Sequence, residues 1–306
     1  MMKRMLSIGE CMVELRQAEE GLLRKGYAGD TFNTAYYARL AAPKDWVVSY
    51  LSAVGTDKVS EEMLGFMEST GVETGFVRRV EGRTPGLYMI HLDEGERSFS
   101  YWRSASAAKT LADDPVHLRA AIEQSDVVFF SGITLAILSA DAVEALLSEL
   151  RRARTAGKTV VFDPNIRPHL WQDRTVMLDT INAGASVANL VMPSFDDEAT
   201  HFGDADPAAT IARYRALGAE NVVVKDGANG ITLSFAGKPA EFIAATRVEK
   251  VVDTTSAGDS FNGTFLARYV QDGDARAAAT AAVRAAAAVI GHHGALVPRE
   301  ALPAAA

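Results

Sequence analysis

The segment Asp253-Thr254-Thr255-Ser256-Ala257-Gly258-Asp259-Ser260-Phe261 sets a carboxylate, Asp259, among small residues at the start of a run of apolar and small residues that suits a helix. Ala257 and Gly258 leave the first N–H groups of that helix unobstructed. Such groups lack intrahelical acceptors, and together with the positive end of the helix dipole they form a natural site for a phosphate. Asp259 does not suit the phosphate itself, because an acid repels a docking anion. Two readings account for it. It is an acid favoured by the dipole near a helix N-terminus, with Thr and Ser as caps, or it is a base that takes a proton from an attacking hydroxyl.

The rest of the chain bounds what such a site serves. At 306 residues and 48% hydrophobic composition the chain can bury a large core, and its length permits one large domain or two smaller ones. The formal net charge of -8, with basic residues scattered rather than striped, argues against a nucleic-acid surface. Cys11 is the only cysteine, so no intrachain disulfide forms, which is consistent with a reducing cytoplasm. The basic start Met1-Met2-Lys3-Arg4 is followed by no apolar run long enough for a signal peptide before Glu10, so a cytoplasmic location is expected. The most apolar segment, Val127 to Leu138, is interrupted by Ser131, Gly132 and Thr134 and is too short to span a bilayer. No partnership with a membrane is expected.

Short β-branched or apolar runs alternate with longer helical patterns. The runs are Val47 to Leu51, Val127 to Phe130, Thr159 to Phe162, Leu190 to Met192 and Val222 to Val224, and Ala140 to Ala156 carries apolar residues at helical spacing. This alternation predicts an α/β fold, a mostly parallel sheet covered by helices on both faces. Ligands in such sheets bind beyond the C-terminal ends of the strands. Loops such as Phe162-Asp163-Pro164-Asn165 and Val224-Lys225-Asp226-Gly227 are expected to line one crevice there. Two regions break the rhythm, about 11–31 and about 84–103. In the second, Gly86 to Leu92 and Arg97 to Trp102 flank Asp93-Glu94-Gly95-Glu96 and read as a hairpin. The Ala-rich stretch from Ala275 to Ile290 predicts a closely packed helix.

Lys225-Asp226-Gly227-Ala228-Asn229-Gly230 is open to two readings: the glycines let backbone approach a nucleotide closely, or they make a tight turn into Ile231-Thr232-Leu233. No Gly-x-x-x-x-Gly-Lys-Ser/Thr occurs, and no Gly-x-Gly-x-x-Gly opens a helix after the first strand, which disfavours a P-loop kinase and a dinucleotide-dependent dehydrogenase. Asp196, Asp197 and Glu198 suit either a metal or a solvated helix start. None of the six histidines shows a metal-binding pattern, and His292-His293 before Gly294 suits a helix end.

The Asp253 to Asp259 segment resembles the C-terminal signature of the ribokinase-like (PfkB) carbohydrate kinases, Asp-Thr-x-Gly-Ala-Gly-Asp, with Ser256 in place of the first Gly. Further matches are Gly29-Asp30-Thr31-Phe32-Asn33-Thr34-Ala35, Gly95 to Arg103, Asp163-Pro164-Asn165-Ile166-Arg167-Pro168 and Lys225-Asp226-Gly227; together they resemble the 2-keto-3-deoxygluconate kinase branch. The resemblance implies a single ribokinase-like domain over residues 1–306, a three-layer α/β/α fold with a small β-sheet lid from about 11–31 and 84–103, and a homodimer or higher homo-oligomer through that lid. It implies Asp259 as the base, with Ala257 and Gly258 as the anion hole. Asn165, Arg167, Ser194, Lys225, Gly227, Gly230, Ser256 and Gly258 would bind nucleotide. Gly29, Asp30, Asn33, Tyr88, Tyr101, Arg103 and Arg167 would bind substrate, although Asp30 or Thr31 reads equally as a helix cap. Ser194 stands where relatives carry Asn of an Asn-x-x-Glu motif, so Asp197 or Glu198 would meet Mg²⁺ through water.

A guanidinium grips a carboxylate by two charge-assisted hydrogen bonds, so Arg103 and Arg167 suit an anionic substrate on an acidic protein. The reading that results is ATP-dependent phosphorylation of 2-dehydro-3-deoxy-D-gluconate at its 6-hydroxyl, with ATP, Mg²⁺ and in some relatives a monovalent cation as cofactors. A kinase of a neutral sugar such as fructose or ribose, and a non-catalytic sugar or nucleotide sensor, are the alternatives.

Overall fold

A computed structural model describes residues 3–19, 21–93 and 96–303. The five apolar runs become strands of one sheet: β4 (Val47–Val54), β8 (Val127–Ser131), β9 (Thr159–Asp163), β10 (Leu190–Val191) and β11 (Asn221–Asp226). They are joined by β1 (Arg4–Ile8), β5 (Glu73–Arg79), β12 (Gly230–Ser234) and β13 (Glu241–Ile243) in the order β13-β12-β11-β10-β9-β8-β1-β4-β5. From β11 to β5 every pairing is parallel, and only β12 and β13 run antiparallel. Burial on both faces explains the continuous apolar runs: every residue of β8 is buried.

Alternation along the strands feeds two cores. Met5, Val48 and Tyr50 pack with Phe32, Met63, Phe265 and Ala279 under α1 (Asp30–Ala41), α2 (Lys58–Ser69), α9 (Ala257–Asp272) and α10 (Ala275–Val289). Leu6, Leu51 and Phe130 point the other way, toward α3 (Pro115–Glu123), α4 (Gly132–Ile137), α5 (Ala140–Thr155), α6 (Arg174–Ser186), α7 (Phe195–Phe202) and α8 (Pro207–Ala216). The expected three layers are therefore present. Strand β1 lies between β8 and β4, third from the β5 edge and paired on both sides, a place that its five residues do not announce.

The two irregular regions form a second sheet of four strands, β3-β2-β6-β7, from β2 (Met12–Glu19), β3 (Leu22–Ala28), β6 (Leu87–Asp93) and β7 (Glu96–Trp102). The expected hairpin is β6 with β7, antiparallel from Leu87↔Trp102 to Asp93↔Glu96. Its turn residues Glu94 and Gly95 lie outside the described residues.

What places the site is the contact of α1 with α9. A Cβ on Gly263 would stand 2.4 Å from the Thr34 carbonyl oxygen and 2.7 Å from the Ala38 nitrogen, both backbone atoms of α1. The two helices can approach this closely only because that Cβ is absent. Gly263→Ala is expected to destabilise the protein by about 1–3 kcal/mol through overpacking, measured as a lowered denaturation midpoint. An unchanged midpoint would show that the helices are not tightly apposed.

Candidate active site

The signature segment opens α9. Its N-cap, Ser256, has φ 64, in the left-handed region that glycine enters freely and other residues enter at a cost. That is the position where Ser stands in place of Gly, so the sequence departure has a conformational cost. Asp259, in the first turn, accepts a hydrogen bond at 2.8 Å from Asn33 Nδ2 on α1. Asn33 Oδ1 in turn accepts from the Gly29 N–H at 3.3 Å, which orients the amide. Gly29 itself has no room for a side chain, since a Cβ would meet the Glu10 carbonyl oxygen at 2.1 Å.

A second line of hydrogen bonds crosses the strand ends. Asn165, with φ 33, donates to Asp30 Oδ2 at 2.8 Å, and its own N–H donates to Asp163 Oδ1 at 3.1 Å. Asp163 Oδ2 receives Lys225 Nζ at 2.8 Å and Asn262 Nδ2 at 2.6 Å, and Lys225 also donates to Asn262 Oδ1 at 3.1 Å. Loops after β9 and β11 are thereby tied to α9 one turn beyond Asp259. Burial pushes the Asp259 carboxyl up to about 7, and the neighbouring charge of Asp30 adds to this, while the Asn33 hydrogen bond works against it. Burial likewise raises Asp30, against hydrogen bonds from Ser131 and Asn165.

Beside the α9 N-terminus opens a cavity of about 760 Å³, lined by Ser194, Lys225, Gly227, Gly230, Ala257 and Gly258, with an apolar wall from Val283, Ala286 and Ile290 of the α10 region. This volume lies in the range of small-molecule and cofactor sites. Of the residues assigned to nucleotide, Ser194, Lys225, Gly227, Gly230 and Gly258 line it. Asn165 is instead bound to Asp30, and Arg167 Nη1 lies 3.6 Å from Asp197.

The small sheet brings the substrate candidates together, but not as free side chains. Arg103 is ion-paired with the buried Glu10, and the Tyr88 hydroxyl is hydrogen-bonded to Glu14. Tyr101 is open, its ring 6.0 Å from Tyr88 and stacked on His169 at 5.8 Å. His169 went unnoticed in the sequence, although it follows Arg167 by two residues. Burial lowers its pKa, and the charges of Arg103 and Arg167 lower it further, so three basic side chains share one locality. Asp163 and Asn262 were also missed as site residues. Asp163 ends a buried strand, where ligands of parallel sheets bind, and Asn262 sits one turn beyond Asp259.

The acids after β10 separate. Glu198 is fully buried, its Oε1 accepting from Tyr214 at 2.9 Å and its Oε2 paired with Arg213 at 2.5 Å. Burial pushes its carboxyl up to about 7. Its oxygens are thus engaged inside the protein, which removes it from the acids that could meet a metal. Asp196 lines the large cavity, and Asp197 stays partly exposed beside Arg167. Among the described residues, no three His, Cys, Asp or Glu side chains are grouped to hold a metal.

A helix start, a partly exposed acid with a raised pKa and a cavity of cofactor size meet at the strand ends, and the family model for pfkB family carbohydrate kinases matches residues 2–302. The chain belongs to the pfkB family. It is 39% identical to the 2-dehydro-3-deoxygluconokinase of Escherichia coli K12 over 311 residues, covering 99% of this chain and all of the relative. It is 37% identical to that of Dickeya dadantii, with 99% of each covered. Among solved structures, a fructokinase with bound ATP from Xylella fastidiosa superposes with a TM-score of 0.81 at 25% identity, covering 99% of this chain and 96% of that one. A putative ribokinase II from E. coli in complex with ATP and Mg²⁺ gives 0.83 at 22% identity, with 99% and 96% covered, and bears on the fold alone.

The sign of the pH dependence follows from Asp259. A carboxyl raised to about 7 is protonated below that pH and can accept a proton only above it. Sugar phosphorylation by this pfkB-family chain is expected to fall about tenfold per unit below about pH 6 and to level off above about pH 8, read from kcat/KM across pH. A profile flat through this range would remove Asp259 from the proton transfer.

Proposed function

We propose that this chain phosphorylates 2-dehydro-3-deoxy-D-gluconate at its 6-hydroxyl, with ATP as donor, giving the 6-phosphate and ADP. The observation that carries the reading is a pair of guanidinium groups, Arg103 and Arg167, both near enough to the His169 ring that stacks on Tyr101 to lower its pKa, on a chain of net charge -8. A neutral sugar has no need of it, whereas a sugar acid does. The names of the E. coli and D. dadantii relatives support the same substrate. In this reading Arg167 and Arg103 hold the carboxylate, Tyr101 covers the carbon chain, and Asp30 and Asn33 bind hydroxyls.

Asp259 takes the proton of the 6-hydroxyl as its oxygen attacks the terminal phosphorus of ATP and the bond to ADP breaks. The N–H of Gly258 would face the charge that accumulates on the transferring group; the Ala257 N–H donates to the Thr254 carbonyl oxygen at 3.3 Å and would have to leave it to join. Lys225 lies against this helix start: a Cβ added at Gly258 would be 3.7 Å from its Nζ. Mg²⁺ keeps several waters and binds chiefly through phosphate oxygens, which fits the scattered acids here; Asp197 would hold its water shell, and the ion would offset phosphate charge. The small sheet would close over the sugar and exclude water.

One observation favours the alternative of a neutral sugar. Glu10 already pairs with Arg103 and offsets its charge. ADP release with 2-dehydro-3-deoxygluconate, fructose and ribose separates the two: the sugar acid is expected to give a kcat/KM at least about 100-fold above either neutral sugar, from about 3 kcal/mol of recognition. Arg103→Ala is expected to raise KM for the acid alone. Equal turnover of fructose would overturn the assignment.

Asp259→Asn is expected to bind ATP and sugar but to lose a factor of about 100–10,000 in kcat. It is also expected to stabilise the fold. A carboxyl raised in the folded state costs nothing at low pH, and its penalty grows as pH rises from the ordinary 3.8 to about 7. At pH 8 the amide therefore gains about 1–3 kcal/mol, seen as a higher denaturation midpoint that vanishes near pH 4. A variant that turns over at the full rate would defeat the role given to Asp259.

A further inference from the structure

Residues of α1, α9, α10 and the C-terminal segment line a second cavity of about 320 Å³. Three arginines line it: Arg268 of α9, Arg284 of α10 and Arg299 of the C-terminal 3₁₀ turn, Arg299–Ala301. Tyr37, Leu40 and Thr264 complete its polar and apolar walls. No residue lines both this cavity and the one at Lys225. We propose that this cavity is a binding site for a small phosphate-bearing metabolite, separate from the catalytic site.

The charges argue for it. Guanidinium groups crowded at one cavity repel one another unless an anion lies among them, and arginine is the side chain best matched to phosphate oxygens. Among the described residues none of the three pairs with a carboxylate. Among the described residues their one protein acceptor is the Leu40 carbonyl oxygen, 3.1 Å from Arg299 Nη1. Arg268 Nε is buried with no hydrogen-bond partner among the described residues, so an acceptor bound in the cavity would satisfy it. Crowding reaches the next arginine too: Arg39 is lowered first by burial and then by the charge of Arg299. All this stands on a chain of net charge -8, where a local excess of cations is the exception. The volume suits a molecule of sugar-phosphate or nucleoside-phosphate size, and Leu40 offers its carbon skeleton an apolar contact.

Pyrophosphate is the probe, titrated calorimetrically into the full chain after a non-hydrolysable ATP analogue has filled the catalytic cavity. Binding with Kd below about 1 mM is expected to persist. Arg284→Gln, a substitution at an exposed position, is expected to weaken it at least tenfold without changing kcat measured in the absence of pyrophosphate, and Arg268→Gln to do the same. Arg276→Gln, which removes an arginine that pairs with Glu241 outside the cavity, is expected to leave it unchanged. Loss of all pyrophosphate binding once the analogue is present would overturn the proposal. So would an Arg284→Gln protein that binds as tightly as the parent, or an Arg276→Gln protein that loses as much as the cavity variants.

Discussion

Two helices far apart in the chain meet without a side chain between them. At Gly263 the backbones of α1 and α9 come into direct contact, and one turn earlier Asn33 on one donates to Asp259 on the other at 2.8 Å. Everything at the site is referred to this contact. It sets the carboxylate at the helix start, holds it against Asp30, and fixes its depth in protein. A residue with a Cβ at 263 would separate the helices and lengthen that hydrogen bond.

The site so formed is uncomfortable for the fold. Asp30 and Asp163 both push on Asp259; Asp163 is buried and the other two are only partly exposed. Two non-glycine residues, Asn165 and Ser256, take positive φ, and both sit in the loops that build the site. Strain and like charge of this kind cost stability and persist where the surroundings over-determine them. Lys225 and Asn262 supply that surrounding by holding Asp163 from two directions. In the proposed mechanism a base with a raised pKa is the chemical return: it would take the proton of the sugar hydroxyl more readily than an ordinary carboxylate while still largely ionised above its pKa of about 7.

The small sheet solves a different problem. Tyr88 of the sheet and Arg103 just beyond it are held by Glu14 and Glu10, acids that are themselves buried. A guanidinium fixed in this way loses little side-chain freedom when it meets a ligand, at the expense of part of its charge. Gly86 makes room for the pair, since a Cβ there would lie 2.7 Å from Glu10 Oε1. The stack of Tyr101 on His169 then joins this sheet to the loop after β9.

Local pattern made much of this legible. The β-branched runs announced β4, β8, β9, β10 and β11 because strands buried on both faces must be apolar throughout, and the Ala-rich stretch announced α10. The order of residues around Asp259 announced a helix start with an acid in its first turn. Strand β1 escaped notice because a run of five residues carries too little pattern, although it is an interior strand paired on both sides. His169, Asn262 and Glu10 escaped because their meaning lies in partners 68, 37 and 93 positions away, Tyr101, Lys225 and Arg103. Glu198 and Asp197 are neighbours in sequence with the same chemistry, yet one faces Arg213 and Tyr214 in the interior and the other faces Arg167. The sequence alone therefore determined the layers, the most apolar strands and the chemical kind of the central acid, since these follow from periodicity and residue type. Tertiary structure decided which acids are buried, which cations are already paired and how far each pKa moves, because burial and Coulomb interaction depend on distance through space and not along the chain.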